Sequence, residues 1–227
     1  MSQNDTQQVE ELEAEISAQL ALLPQRGTES IRSVRRQFSK RLANVTPELA
    51  VQLAFRLIDR SDTIYRFFAY ELVHHHKHAL RSLNATALGE LGRGIDNWGA
   101  VDTFACYLAG PAWREQQVSD SLIKSWARSR DRWWRRAALV STVPLNNKAR
   151  GGRGDPLRTL KICEMLVRDR DVMVVKALSW ALRELAKRDP KSVREFLVNH
   201  EAVLAPLVSR EVNNKLSTGL KNPRRTD

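Results

Sequence analysis

Trp98, Asp102, Arg136 and Trp180 are the residues whose types and spacing could do chemistry. Trp98 and Asp102 stand four apart in the run NWGAVD, Arg136 follows two tryptophans in DRWWRRAAL, and Trp180 lies in VVKALSWALRE. Residues four apart on a helix share one face, so an indole and a carboxylate would point the same way. Both groups favour a positive charge beside them, the carboxylate by Coulomb attraction and the indole by its quadrupole. The chain carries 37 Lys and Arg against 26 acids, a formal net charge of +11. Such an excess attracts polyanions by charge and counterion release. Together these features suggest a cationic cleft that holds a nucleic acid and attacks a bond in it. Each residue also has a plainer role: a tryptophan among helices packs in a core, and Asp102 caps a helix or pairs with Arg136.

The elements that must position them are helices. Val9, Leu12, Ile16, Leu20 and Leu23 form one helical stripe. Further helices are expected at roughly 29–42, 47–60, 62–80, 85–93, 98–109, 118–129, 133–143, 156–168, 172–187, 190–199 and 206–217, with no strand series. Thr46-Pro47, Asp155-Pro156 and Asp189-Pro190 each pair a capping residue with proline at the first turn. The two Asp-Pro starts lie 34 residues apart, and RDRWWRRAAL (130–139) overlays RDVMVVKAL (170–178) at an offset of 40. That overlay matches Asp131 with Asp171 and Arg136 with Lys176. The period and the pattern are those of HEAT-like repeats, in which helix pairs stack because no pair buries its own apolar face. The expected fold is all-α, a single HEAT-like helical-repeat solenoid over 1–227 with a concave basic cleft, frayed at 1–5 and 219–227.

Other runs carry weaker signals. The segment NNKARGGRGDP (146–156) reads as a flexible basic stretch in which Lys148, Arg150 and Arg153 approach phosphate, or as a solvated connector. It lacks the P-loop pattern. HHHKH (74–78) has no acidic or cysteine partner at zinc-site spacing, so the expectation is a helix end and no metal. Trp133 and Trp134 are adjacent and cannot both face inward; Trp133 is assigned to packing. Cys106 and Cys163 fall in apolar helical patterns and read as buried free thiols in a reducing compartment. No apolar run reaches membrane-spanning length, and the N-terminus lacks the character of a secretory signal.

The runs NWGAVD, WWRRAAL, KALSWALRELAKRDP and LAPLVSREVNNKL resemble those of the AlkD-type DNA alkylation repair glycosylases, a HEAT-like family. The similarity covers roughly residues 30 to 218 and is strongest from Asn97 onward. It implies removal of N3- and N7-alkylated purines from duplex DNA without turning the lesion into a pocket. By position, it makes Trp98 and Trp180 cleft tryptophans, Asp102 the carboxylate and Arg136 the cleft arginine, set against a phosphate. Arg135, Lys176 and Arg183 extend the expected DNA contact. The N-terminal third departs from the family pattern. ESIRSVRRQ occupies the place of a loop-to-helix motif that grips the opposite strand. Ser30 and Val34 replace its usual glycine and proline, while Arg32, Arg35 and Arg36 supply charge. No aromatic in the first helix matches a third cleft aromatic of some members, and Tyr65 and Tyr70 come too late in the chain.

The residue chemistry suits such a reaction. An N3- or N7-alkylpurine is already cationic and leaves without a general acid, so the charge to be stabilised develops on the deoxyribose. At about 4 Å and an effective dielectric near 20, a carboxylate gains roughly 4 kcal/mol with a unit positive charge, or about a thousandfold in rate. The expectation is therefore a cofactor-free DNA N-glycosylase of base excision repair, releasing 3-methyladenine or 7-methylguanine. Its expected partner is double-stranded DNA containing alkylated bases, with no membrane and no obligate protein partner. Its expected location is cytoplasmic, in a bacterium and associated with the nucleoid. Two alternatives stand beside it: a non-catalytic HEAT-repeat module that binds nucleic acid, and a scaffold that grips an acidic protein segment.

Overall fold

Capping residues decide where helices begin in this chain, and most of them are visible in the sequence. The computed structural model describes residues 2–60 and 62–223. Met1 and 224–227, within the segments expected to fray, lie outside the described residues, as does Ser61. The chain forms two compact units that divide between Ile95 and Asp96. All regular structure among the described residues is helical, and no helix is long and apolar enough to cross a membrane.

The first unit contains α1 (Gln3–Ala21), α2 (Thr28–Arg41), α3 (Pro47–Ile58), α4 (Thr63–His75), α5 (Lys77–Ser82) and α6 (Ala85–Gly92). Ser2 and Asp5 form a reciprocal capping box that starts α1. Val9, Leu12, Ile16 and Leu20 are its buried stripe. α3 packs against α1 and α4, and α2 packs against α4. Phe38 and Phe68 meet edge to face at 6.1 Å between ring centres in this core. Each such fully buried side chain contributes about 1.5–3 kcal/mol. The helix expected over 62–80 is two helices. His76 leaves helical geometry, and its Nδ1 accepts from the Ala79 N–H at 3.0 Å, capping α5.

The second unit contains α7 (Trp98–Phe104), a π turn (Ala105–Ala109), α8 (Gly110–Arg114), α9 (Asp120–Ala127), α10 (Arg132–Val140) and α11 (Val143–Asn146). After a 3₁₀ turn (Lys148–Arg150) come α12 (Pro156–Met165), α13 (Val172–Leu185), α14 (Pro190–Asn199) and α15 (Pro206–Thr218). The helix expected to stop at 109 runs on to Arg114 through the π turn. Pro111 has no N–H to give to a carbonyl one turn back, and the ladder widens just before it, with Gly110 N–H bonded to Ala105 O. A Cβ on Gly110 would sit 2.7 Å from Pro144 Cγ, so glycine lets α8 approach α11.

The repeat read from the sequence is physical. Asp131 and Asp171 cap α10 and α13 identically, each accepting an N–H two residues on at 2.8 Å. Asp155 and Asp189 cap α12 and α14 with bonds of 2.9 Å. α10 packs against α7, α9 and α13, and α13 packs against α12 and α15. The second helices of successive pairs therefore lie side by side, with α10 packed on both the helix of Asp102 and the helix of Trp180.

Candidate active site

Asn97 sets the geometry at Trp98. Its Oδ1 accepts the Ala100 N–H at 2.9 Å and starts α7 so that Trp98 is the first helical residue. The indole is 60% exposed, the most open tryptophan of the second unit. One turn on, the Asp102 side chain is 18% exposed. Both of its oxygens are engaged by Arg136, at 2.9 Å from Nε and 2.8 Å from Nη2. Arg136 Nη1 donates to Met173 O at 2.6 Å. One buried guanidinium thus ties α7, α10 and the start of α13 together. The family resemblance sets Arg136 against a phosphate; in the fold its planar fork faces inward and positions Asp102. Burial pushes the Asp102 carboxyl above the usual aspartate range, while the Arg136 guanidinium pulls it back.

Trp180 is half-buried on α13, between exposed Lys176 and half-buried Arg183. The exposed stripe of this helix is therefore cationic and aromatic at i, i+4 spacing. Burial lowers the pKa of Arg183, against the attraction of Glu211 and Glu184. The tryptophan pair on α10 corrects the sequence reading. Trp134 packs in an aromatic cluster, with ring centres 4.9 Å from Trp126 and 6.0 Å from Phe104. Trp133 instead lies under the guanidinium of Arg132 at 4.7 Å. Ala138 and Ser141, one and two turns on from Trp134, are fully buried, and that face selects Trp134 over its neighbour.

Several candidate DNA contacts have partners within the fold. Arg135 donates to Asp169 at 2.7 Å and to the carbonyls of Ser129 and Arg130, bracing the turn before α10. Segment 146–156 is bonded throughout rather than loose. Gly152 N–H bonds to Asn147 O at 2.8 Å, Gly154 N–H to Leu145 O at 3.0 Å, and Asp155 N–H to Asn146 Oδ1 at 2.9 Å. A Cβ on Gly152 would lie 2.6 Å from Pro144 O, so glycine here serves a tight backbone crossing. Lys148 and Arg153 stay exposed on this framework. Arg150 is stacked over Tyr107 at 5.0 Å from the ring centre, and its carbonyl accepts from Arg114. Tyr107 is not among the residues the sequence singles out. Its signal is the Gly110-Pro111 pair, which announces the π turn and re-aims the residues before it.

The first unit holds its arginines differently. Arg32 and Arg35 both turn to Glu71, with nitrogen–oxygen distances of 2.9 and 3.4 Å. Arg35 is buried, which gives it an interior role and takes it off the list of surface contacts. Arg32 stays one-third exposed, and Arg36 is exposed and paired with Glu29 at 2.7 Å. His74 and His75 lie in the last turn of α4. No group of three or more His, Cys, Asp or Glu among the described residues could hold a metal. Cys106 and Cys163 are buried and unbridged; burial pushes the Cys106 thiol up to about 12 and raises Cys163 further.

One family model matches most of the chain. The sequence profile described as DNA alkylation repair enzyme matches residues 26–216. A solved structure described as a predicted DNA alkylation repair enzyme from Enterococcus faecalis superposes with a TM-score of 0.68 at 18% identity. The match covers 92% of this chain and 95% of that one, and it shows a shared helical-repeat fold. None of the curated proteins matches the chain.

Proposed function

The chain belongs to the DNA alkylation repair enzymes, and from that premise we propose that it is a DNA glycosylase for cationic N3- and N7-alkylpurines in duplex DNA. The observation that carries this reading is a half-buried carboxylate, fixed by a buried arginine one helix away and set one turn from an exposed indole. Asp102 then cannot swing, and its charge is placed in advance of the reaction. As the bond between the sugar and the modified base breaks, its electron pair leaves with the base and neutralises it. The sugar becomes oxocarbenium-like and is attacked by water, whose proton passes to Asp102 or to solvent.

Arg136 changes the size of this effect. The carboxylate at about 4 Å is worth roughly 4 kcal/mol, and a guanidinium about twice as far away takes back roughly half. About 2 kcal/mol remains, near thirtyfold in rate. That suffices for a labile leaving group and would not suffice for an uncharged one, so neutral base lesions are outside the range. Trp98 adds about 0.5–2 kcal/mol by its quadrupole. Lys148, Arg153, Lys176 and Arg183 supply the phosphate contacts.

The test is release of free 3-methyladenine or 7-methylguanine from methylated duplex, identified by chromatography. A non-catalytic DNA-binding reading rests on one observation, that both Asp102 oxygens are already occupied. It predicts duplex binding with no base released.

A further inference from the structure

The family match ends at residue 216, and the chain builds further structure just past it. Gly219, at φ 75°, closes α15 by donating to Lys215 O at 3.1 Å. Lys215 Nζ bonds back to Gly219 O, and Asn214 Nδ2 donates to Lys221 O at 3.1 Å. The backbone turns back on α15 and brings Lys221 Nζ to 3.2 Å from Glu211 Oε1. The other Glu211 oxygen accepts from Ser179 at 2.6 Å and lies 3.7 Å from Arg183 Nε. Ser179 and Arg183 belong to α13, the helix of Trp180. One carboxylate, 6% exposed, therefore brackets two cations from different elements, while Lys221 is 45% exposed.

Charge at this place does not balance. Arg183 and Lys221 share one acid, Glu211, and Glu184, the next acid along α13, is taken by Lys187 at 2.7 Å. An ammonium has three donors, and a carboxylate behind it orders the group without occupying its outer side. We propose that Lys221, held in register by Glu211 beside Arg183, is a phosphate contact for the DNA backbone on the α15 side of Trp180. The fold-back after Gly219 is thus a short grip on DNA that this chain adds beyond the family match. It rests on the reading that the chain binds duplex DNA.

The test uses the full chain and an undamaged fluorescent duplex, with affinity measured across a salt series. Lys221→Gln is expected to weaken binding several-fold at low salt and to flatten the log K against log[salt] slope by about 0.9, one counterion. Lys221→Arg keeps the wild-type slope. A purely structural ion pair would lower the melting temperature of Lys221→Gln and leave slope and affinity alone; that result overturns the inference and spares the functional reading. Failure of the wild-type chain to bind duplex at all overturns both.

Discussion

Two buried acid–arginine clusters can be compared directly. In the first unit Glu71 is 2% exposed and shared by Arg32 and Arg35, with His75 Nε2 at 3.7 Å. In the second, Asp102 is 18% exposed and has one arginine, joined by two parallel bonds. Glu71 is sealed by its partners and can only hold helices together. Asp102 is gripped by one arginine and stays partly exposed, one helical turn from the exposed Trp98. The same chemical pair is thus a staple in one place and a poised charge in the other. What separates them is how much of the carboxylate its partners cover.

The comparison breaks most visibly in stability. Glu71→Gln leaves Arg35 buried beside an uncharged amide and is expected to cost about 3–5 kcal/mol. Chemical denaturation measures it, and base release per folded molecule should not change. Equal stability of this variant and wild type would remove the staple.

Arg136→Ala is expected to lose less stability, since the carboxylate it abandons reaches water. Its sharper signature is in pH. In the proposed mechanism the ionised Asp102 is the active form, so release should be full above its folded pKa and fall as pH drops through it. Burial places that midpoint above the ordinary aspartate value. Losing the guanidinium removes the pull to lower pKa, so the acid limb should move to higher pH than in wild type. A limb that stays put would show that Asp102 is not the titrating group.

Trp98→Ala is expected to slow release about two- to thirtyfold, matching a quadrupole contribution of about 0.5–2 kcal/mol. Trp98→Phe should fall between. The exposed indole packs against little, so neither variant should shift the melting temperature. A large shift would make Trp98 a packing residue like Trp134.

Local chemistry was legible in the sequence and long-range pairing was not. Asp155 and Asp189 cap the helices they are expected to start, and the matched pair Asp131 and Asp171 cap theirs alike, because a cap depends on residues two or three away. Trp98 and Asp102 were placed one turn apart for the same reason. The bond between Asp102 and Arg136 spans 34 positions, and the sequence left it as one alternative among several. Glu71 sits in the run ELVHHH like a solvated acid, and nothing local shows that α2 brings two arginines to it. The break at His76 and the π turn before Pro111 escaped because each keeps the apolar pattern running across it. Adjacent Trp133 and Trp134 could be ranked only by the neighbours they meet, Trp126 and Phe104.

The central claim is that the Asp102 carboxylate stabilises positive charge on the sugar. Single-turnover release of 3-methyladenine from methylated duplex, wild type against Asp102→Asn, addresses it most directly. The account predicts a fall of about a thousandfold with undamaged-duplex affinity unchanged, since asparagine keeps the shape, removes a charge worth roughly 4 kcal/mol and leaves the opposing Arg136 in place. Equal release rates from the two proteins would contradict it.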